Sequence, residues 1–298
     1  MANETTRKKT VVTALSREGY LRQLAASDTP LEIHLTNDYA FRKTFKNTTV
    51  LKGFLMALLG LKPEQITRLD VADPCEEGEN DTEKEGILDI KVHMNDNQKI
   101  NIEMQNTYQK DLAERSLFYT CRMYTEGFLH GIPYGAIEPC IHVGILNFNQ
   151  SESEGYHHCI LLSDEKTREV YSSKIVFHMI ELKKIETTSE EEKRQELYHW
   201  TKLIAATSWE EIRMEAKGNS YMEAAVKEME KINQNEDERY LYLRRELGRI
   251  EGIKALIRTC QDFGLTIDGT ASRIEQLFEI SQDSARKYVE KYWEYCVE

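Results

Sequence analysis

The sequence of 298 residues lacks the features by which several classes of protein are recognised. Its six cysteines form no Cys-x-x-Cys pair, which argues against a zinc site and against a disulfide framework. No apolar run approaches the ~18 residues of a membrane span, and the polar first residues contain no apolar block of a secretory signal. We therefore expect a cytoplasmic protein with reduced thiols and no membrane partner.

Basic residues are also in the minority. Lys and Arg number 39 against 51 Asp and Glu, which gives a net charge of −12 at pH 7. A protein that binds nucleic acid without preference usually has a basic surface, so any contact with DNA has to come from a local patch. The most acidic segment, residues 76–85, is interpreted as a solvated loop.

Two segments with a period of two predict a β-hairpin. Residues 86–94 and 99–106 alternate apolar and polar side chains, as half-buried strands do. Asn95-Asp96-Asn97 lies between them and favours a turn. The apolar rows are expected to share a core, which leaves the polar rows together on the opposite face.

One consequence of this hairpin is a pair of facing carboxylates. A three-residue loop with Met94 opposite Gln98 places Asp89 directly across from Glu103. Like charges in that position are unfavourable by roughly 0.2–1 kcal/mol, so a divalent cation held between the two acids is one interpretation. The other interpretation is an exposed strand face that simply carries charge.

A helix is predicted after the hairpin, beginning at Asp111 and reaching about His130. Its apolar face is predicted to contain Leu117, Cys121, Tyr124 and Phe128. A second stripe at spacings i, i+4, i+7 and i+11 contains Arg115, Tyr119, Arg122 and Glu126. That stripe is either a solvated helix edge or a functional face. The apolar run 140–148 suits a central buried strand, which makes the helix a crossover connection.

The pattern becomes helical after Glu186 and stays so. Capping boxes that begin at Ser189, Ser208 and Ser220 predict helices near 190–206, 209–217 and 220–233. A long helix to about Asp262 and two shorter ones follow. The last three have helix-turn-helix proportions, but helix 282–295 has no net charge, which favours packing or self-association over DNA reading. We therefore predict two domains, residues 1–186 and 187–298.

The order helix, strand, hairpin with Asp then Glu-x-Gln, helix and strand resembles the PD-(D/E)XK nuclease superfamily. The resemblance is strongest to its recombination-promoting nuclease (Rpn) and transposase branch. The residues that carry it are 37–45, 87–92, 100–105, 115–124 and 139–148. It implies an α/β fold, with a mixed sheet flanked by helices and followed here by an all-helical C-terminal region. It also implies a DNA endonuclease linked to recombination or mobile elements, which uses Mg²⁺ with Mn²⁺ as a substitute.

The resemblance implies roles for particular residues. Asp89 and Glu103 are similar to the metal-binding acids of the motif, and Asp38 is similar to an early acidic position that contributes a third ligand, directly or through water. Gln105 stands where the wider superfamily has Lys, although this branch commonly shows Glu-x-Gln. Lys91 lies on the same strand face as Asp89, and our hypothesis is that its ammonium supplies the missing charge.

The predicted crossover helix completes this picture. Arg115, Tyr119 and Arg122 are expected to face the same site and to contact substrate phosphate. Gln105 lacks the cation that would stabilise charge in the transition state, so a second hypothesis stays open. On that hypothesis the chain is a catalytically degenerate nuclease fold that acts as a binding or assembly module. The helical region is expected to make the protein a homo-oligomer.

Overall fold

A six-stranded mixed sheet forms the centre of the molecule. The structure, a computed structural model, describes residues 17–72, 75–76, 86–87, 90–278 and 282–293. Within them the strands are β1 (Leu69–Ala72), β2 (Cys75–Glu76), β3 (Gly86–Ile87), β4 (Ile90–Met94), β5 (Gln98–Gln105), β6 (Cys140–Leu146), β7 (His157–Ser163) and β8 (Val170–Glu181). The sheet order is β1-β4-β5-β6-β8-β7, and β2 pairs with β3 in a separate antiparallel ribbon.

Ten α-helices occur in the same described ranges, and they cover the sheet and extend beyond it. They are α1 (Arg17–Ala25), α2 (Asp38–Phe45), α3 (Thr48–Leu59), α4 (Leu112–Thr125), α5 (Glu196–Ala205), α6 (Trp209–Ala216), α7 (Ser220–Gln234), α8 (Glu236–Asp262), α9 (Ile267–Phe278) and α10 (Gln282–Tyr292). The predicted α/β class, a mixed sheet flanked by helices with a helical C-terminal region, is confirmed. None of the described helices combines the length and the hydropathy that crossing a membrane requires.

Strand direction follows from the connections. Tight turns join antiparallel neighbours, so β4 is antiparallel to β5. The central strands β5, β6 and β8 are parallel. Helix α4 connects β5 to β6, which confirms the predicted crossover. Every residue of β6 is buried, because a central parallel strand is covered on both faces.

Side-chain caps define several helix starts, although two predicted caps were misplaced. Asn37 accepts hydrogen bonds from the backbone N–H groups of the first turn of α2, as a capping residue does. Asn219 rather than Ser220 caps α7. Ser189 and Glu192 do hydrogen-bond to each other, but they enclose a short 3₁₀ turn, and α5 begins only at Glu196.

The predicted apolar face of α4 is wrong. Leu117 is 48% exposed and Cys121 is also exposed. The helix instead buries Leu112, Ser116, Thr120 and Met123, and it ends at Thr125 rather than near His130. The strands beneath α4 present polar side chains to it, and the small side chains of Ser116 and Thr120 allow the helix to lie close to those strands. Leu117 points away from the sheet.

The main hydrophobic core lies on the other face of the sheet. Phe45 contacts Phe54 and Trp200, with ring centroids 5.3 and 6.1 Å away. The same core extends from Ile33 to Tyr242, and a separate small cluster joins α9 and α10 to the second half of α8. The boundary predicted at residue 186 therefore crosses a shared core. That residues 1–186 form a domain of their own stays a prediction.

Candidate active site

The polar face of the hairpin is buried beneath α4. Lys91, Lys99, Asn101 and Glu103 are between 2 and 6% exposed. The interpretation of an exposed, charged strand face is therefore wrong for these four residues. Buried charges require partners, because an ion removed from water without one is strongly destabilised. The helix has to supply those partners.

The predicted hairpin register is confirmed. Met94 lies opposite Gln98, and the described pairing runs to Ile90 opposite Ile102. Asn95 and Asp96 adopt left-handed conformations with φ of 55° and 57°, which Asn and Asp tolerate better than other non-glycine residues. Asp89 itself lies outside the described residues.

Glu103 is the centre of a group that joins β5 to α4. Arg115 Nη2 donates to Glu103 Oε1 at 2.9 Å, and Gln105 Nε2 donates to the same oxygen. The Arg115 guanidinium carbon also lies 5.8 Å from the centroid of the Tyr119 ring. We call Glu103, Gln105, Arg115 and Tyr119 the Glu103 cluster. The structure thus brings together four of the residues singled out from the sequence, with a guanidinium balancing a buried carboxylate.

Lys91 is held at the other end of the same face. Its Nζ donates to both carboxylate oxygens of Glu126, at 2.8 and 2.7 Å. Lys99 Nζ donates to the carbonyl oxygens of Met123 and Glu126, where α4 ends. Burial alone would raise the pKa of the Glu126 carboxyl, but the hydrogen bond to Lys91 and the charges of both lysines outweigh burial and lower that pKa.

Lys91 is consequently displaced along the hairpin from Glu103. It pairs with Asn101, so it is a diagonal neighbour of Glu103. Glu126 belongs to the sequence stripe that also contains Arg115. One helix stripe therefore contacts the polar strands at both of its ends, through Arg115 and through Glu126.

Asp38 is located at the first residue of α2. Its carboxylate lies 3.5 Å from Arg42 Nη2 and 3.6 Å from Arg245 Nε. The end of β5 is nearby in the structure, because Asn106 Nδ2 donates to the carbonyl oxygen of Thr36. The described contacts of Asp38 are with arginines rather than with the Glu103 cluster. Arg122 is half-buried on α4.

The Asn101–His142 pair was not identified from the sequence. Asn101 Nδ2 contacts His142 Nδ1 at 3.1 Å on the polar face of the sheet. The alternation of β5 did place Asn101 beside Glu103, but His142 lies inside an apolar run that gave no sign of a polar partner. Burial, followed by the charge of Arg115, lowers the pKa of His142 to about 4. The imidazole is therefore neutral at pH 7.

We expect this histidine to make stability depend on pH. Its pKa is lower in the folded chain than the ordinary 6.5, so the unfolded chain binds more protons between pH 6.5 and pH 4. The free energy of unfolding should therefore fall as the pH decreases through that window, by on the order of 3 kcal/mol from His142 alone. Urea unfolding at several pH values measures this slope.

The variant His142→Gln should show a shallower slope than the wild-type protein. His178, whose pKa burial and the charge of His157 also lower to about 4, contributes to the slope and remains in that variant. Exposed His130→Gln is the control and should keep the wild-type slope. Equal slopes for His142→Gln and the wild type would contradict the prediction.

The donors at this face suit a hard cation. Carboxylate and amide oxygens of Glu103 and Gln105 are ligands that Mg²⁺ and Mn²⁺ accept, whereas soft metals prefer sulfur or imidazole. Arg115 Nε, Ser116 Oγ and Asn101 Oδ1 are buried there and form no hydrogen bond with any residue that the structure describes. Among the described residues, which exclude Asp89, no three His, Cys, Asp or Glu side chains are grouped to hold a metal ion.

The chain matches a known protein family. The sequence profile described as PD-(D/E)XK nuclease family transposase matches residues 35–255, which is well over half of the chain. Neither the curated proteins nor the solved structures compared with the chain gave a significant match. The matched segment contains the whole six-stranded sheet, α4 and most of the helices that complete the main core.

Proposed function

This chain belongs to the PD-(D/E)XK nuclease family of transposases, and from that premise we propose that it is a divalent-metal-dependent DNA endonuclease. The observation that supports this most directly is the Glu103 cluster. A carboxylate is buried on the strand after the hairpin turn, its Glu-x-Gln partner donates to it, and a crossover helix places a guanidinium beside it. Recombination or mobile-element biology, as in the Rpn branch, belongs to the same proposal.

In this proposal Asp89 and Glu103 hold the metal, and Asp38 contributes a third ligand, directly or through water. Mg²⁺, or Mn²⁺ in its place, supplies polarisation of the scissile phosphate and a lower pKa for an attacking water. The proposal requires Asp89 to lie opposite Glu103, as the sequence predicts, and the described register ends one pair earlier, at Ile90 opposite Ile102.

The protein's own side chains then orient the substrate. Arg115 and Arg122 contact phosphate oxygens from α4, with Tyr119 supporting the Arg115 guanidinium. Gln105 fixes the orientation of the Glu103 carboxylate through its amide hydrogen bond. Lys91 supports the site from the same strand face in this proposal, and the Glu126 carboxylate, which accepts two hydrogen bonds from its ammonium, holds it in place.

One observation favours the second hypothesis, a nuclease fold that binds or assembles without cleaving. Glu103 Oε1 already accepts hydrogen bonds from Arg115 and Gln105, so its negative charge has a partner without any metal. If that arrangement is permanent, the cluster is a structural ion pair. Metal binding measured directly separates the two hypotheses.

The test combines cleavage with calorimetry on the full chain. Supercoiled plasmid incubated with the protein should be nicked in Mg²⁺ or Mn²⁺ and left intact in EDTA. Titration of the protein with Mn²⁺ should release or absorb heat with a stoichiometry near one. Absence of both signals from a folded sample would favour the binding-module hypothesis.

Two further properties are proposed with the activity. The first is a homo-oligomer, which light scattering on the full chain tests by mass. The second is a reducing compartment, the cytoplasm, which suits the thiols that the structure describes as free: Cys121, Cys140, Cys159 and Cys260.

A further inference from the structure

A groove beside the start of α2 contains arginines that the proposed catalytic group does not use. It encloses about 830 Å³ between α1, α2 and the first half of α8. Tyr240, Arg244 and Gly248 follow one another at intervals of four residues, so they lie on one face of α8 and form its wall. Arg245 borders the same space.

Two arginines, Arg244 and Arg245, and two carboxylates, Glu18 and Asp38, line this groove, and both carboxylates already have arginine partners. Arg42 and Arg245 share the single carboxylate of Asp38. Glu18, which also lines the groove, already has an ion pair with Arg22. Arg244 is exposed and has no hydrogen bond or ion pair with any residue that the structure describes. In a chain of net charge −12, the Arg244 guanidinium is therefore a local positive charge that an anion can reach, as DNA contact by an acidic protein requires.

The groove is connected to the end of β5 by direct hydrogen bonds. Asn106, which follows Gln105, donates to the carbonyl oxygen of Thr36. Asn37 Nδ2 then donates to Glu246 Oε1 at 2.8 Å, which joins the start of α2 to α8. The wall with Arg244 and Arg245 is thus attached to the strand of the Glu103 cluster, and a polynucleotide has phosphates on both sides of any bond presented for cleavage.

We propose that Arg244 and Arg245 bind a backbone phosphate of the DNA substrate that flanks the scissile one. The inference rests on the proposed function, since it names a second contact for the same substrate. Guanidinium groups suit this task because their planar N–H donors match two phosphate oxygens at once. A contact of this kind positions the strand and carries no sequence information.

The test is DNA binding by the full chain without metal, so that no cleavage occurs. A fluorescein-labelled duplex is titrated in EDTA at several salt concentrations, and anisotropy gives Kd. Arg244→Ala should raise Kd about five- to tenfold, and its plot of log K against log salt should be less steep by roughly 0.9. Arg244→Lys should keep most of the salt slope, because the charge remains.

Arg258→Ala is the matched control. Arg258 is an exposed arginine on the same helix, about 21 Å further along its axis, and its variant should bind as the wild type does.

If Arg244→Ala and the wild type have equal Kd and equal salt slopes, the phosphate site is wrong, even if the protein cleaves DNA. If Arg244→Ala weakens binding while no metal supports cleavage, Arg244 contacts DNA phosphate, but the nuclease proposal fails and with it the assignment of that phosphate as a neighbour of a scissile one. If the wild type neither binds nor cleaves DNA, both are wrong.

Discussion

Replacing Glu103 with glutamine is expected to reduce metal-dependent DNA cleavage by at least about 100-fold. Residues that only orient metal ligands already cost roughly 10- to 100-fold when removed, and Glu103 is proposed as a ligand itself. Glutamine retains the shape of the side chain and an oxygen that accepts from Arg115, so the fold should persist. Plasmid nicking rates measure the activity, and Mn²⁺ calorimetry should show weaker binding.

The control for this variant is a carboxylate with similar surroundings on the other face of the sheet. Glu215 on α6 has a side chain 8% exposed and accepts hydrogen bonds from His199 and Lys202 of α5. Glu215→Gln should therefore cleave DNA at the wild-type rate. Both variants lose a partly buried ion pair, so a similar small loss of stability in the two is expected. If Glu103→Gln and Asp89→Asn both cleave DNA at the wild-type rate, the proposal that these two residues hold the metal is wrong.

A chain that ends at Glu186 is expected not to fold cooperatively. It would lack Trp200, whose ring is 1% exposed and lies 5.9 Å from that of Phe54. It would also lack α7, which packs so closely on α3 that a Cβ added to Gly53 would clash with the side chain of Tyr221. The apolar face of the sheet would then be exposed to water, and circular dichroism on heating should show no sharp transition.

Two other chains make this result specific. A chain ending at Gly248 retains Tyr242 and the rest of the main core and loses only the separate C-terminal cluster, so it should unfold near the wild-type temperature. In the full chain, Trp200→Ala should lower the free energy of unfolding by about 3–5 kcal/mol. A soluble, cooperatively folded chain of residues 1–186 would instead uphold the two-domain division predicted from the sequence.

Local patterns in the sequence predicted the turn and the register of β4 and β5 correctly, although residues 86–87 of the predicted first strand pair with β2 in a separate ribbon. Alternation fixes which residues share a face, and Asn95 and Asp96 favour the backbone conformation that the turn requires. Buried β6 and the crossover could be predicted for a similar reason, because a short uninterrupted apolar run is typical of a strand that is covered on both faces. These features depend on residues that are close together in the chain.

The sequence pattern could not predict features that depend on contacts between residues far apart in the chain. Alternation alone cannot distinguish a polar face in water from one buried under a helix whose Glu126 and Arg115 neutralise its charges. The apolar face of α4 was predicted wrongly for the same reason, since Ser116 is buried and Leu117 is exposed. Helical periodicity finds stripes on a helix, but only the facing surface decides which stripe is buried.

The continuous core has a consequence for how the protein is made on the ribosome. Helices α5, α6 and α7 complete this core after the strands of the sheet have been synthesised. Tyr242, which donates a hydrogen bond to the carbonyl oxygen of Glu32, is among the last core residues to be added. A nascent polypeptide that stops short of α8 lacks both this hydrogen bond and the packing around the start of α2. A chain terminated before α8 would therefore lack part of the main core, and we expect it not to fold stably.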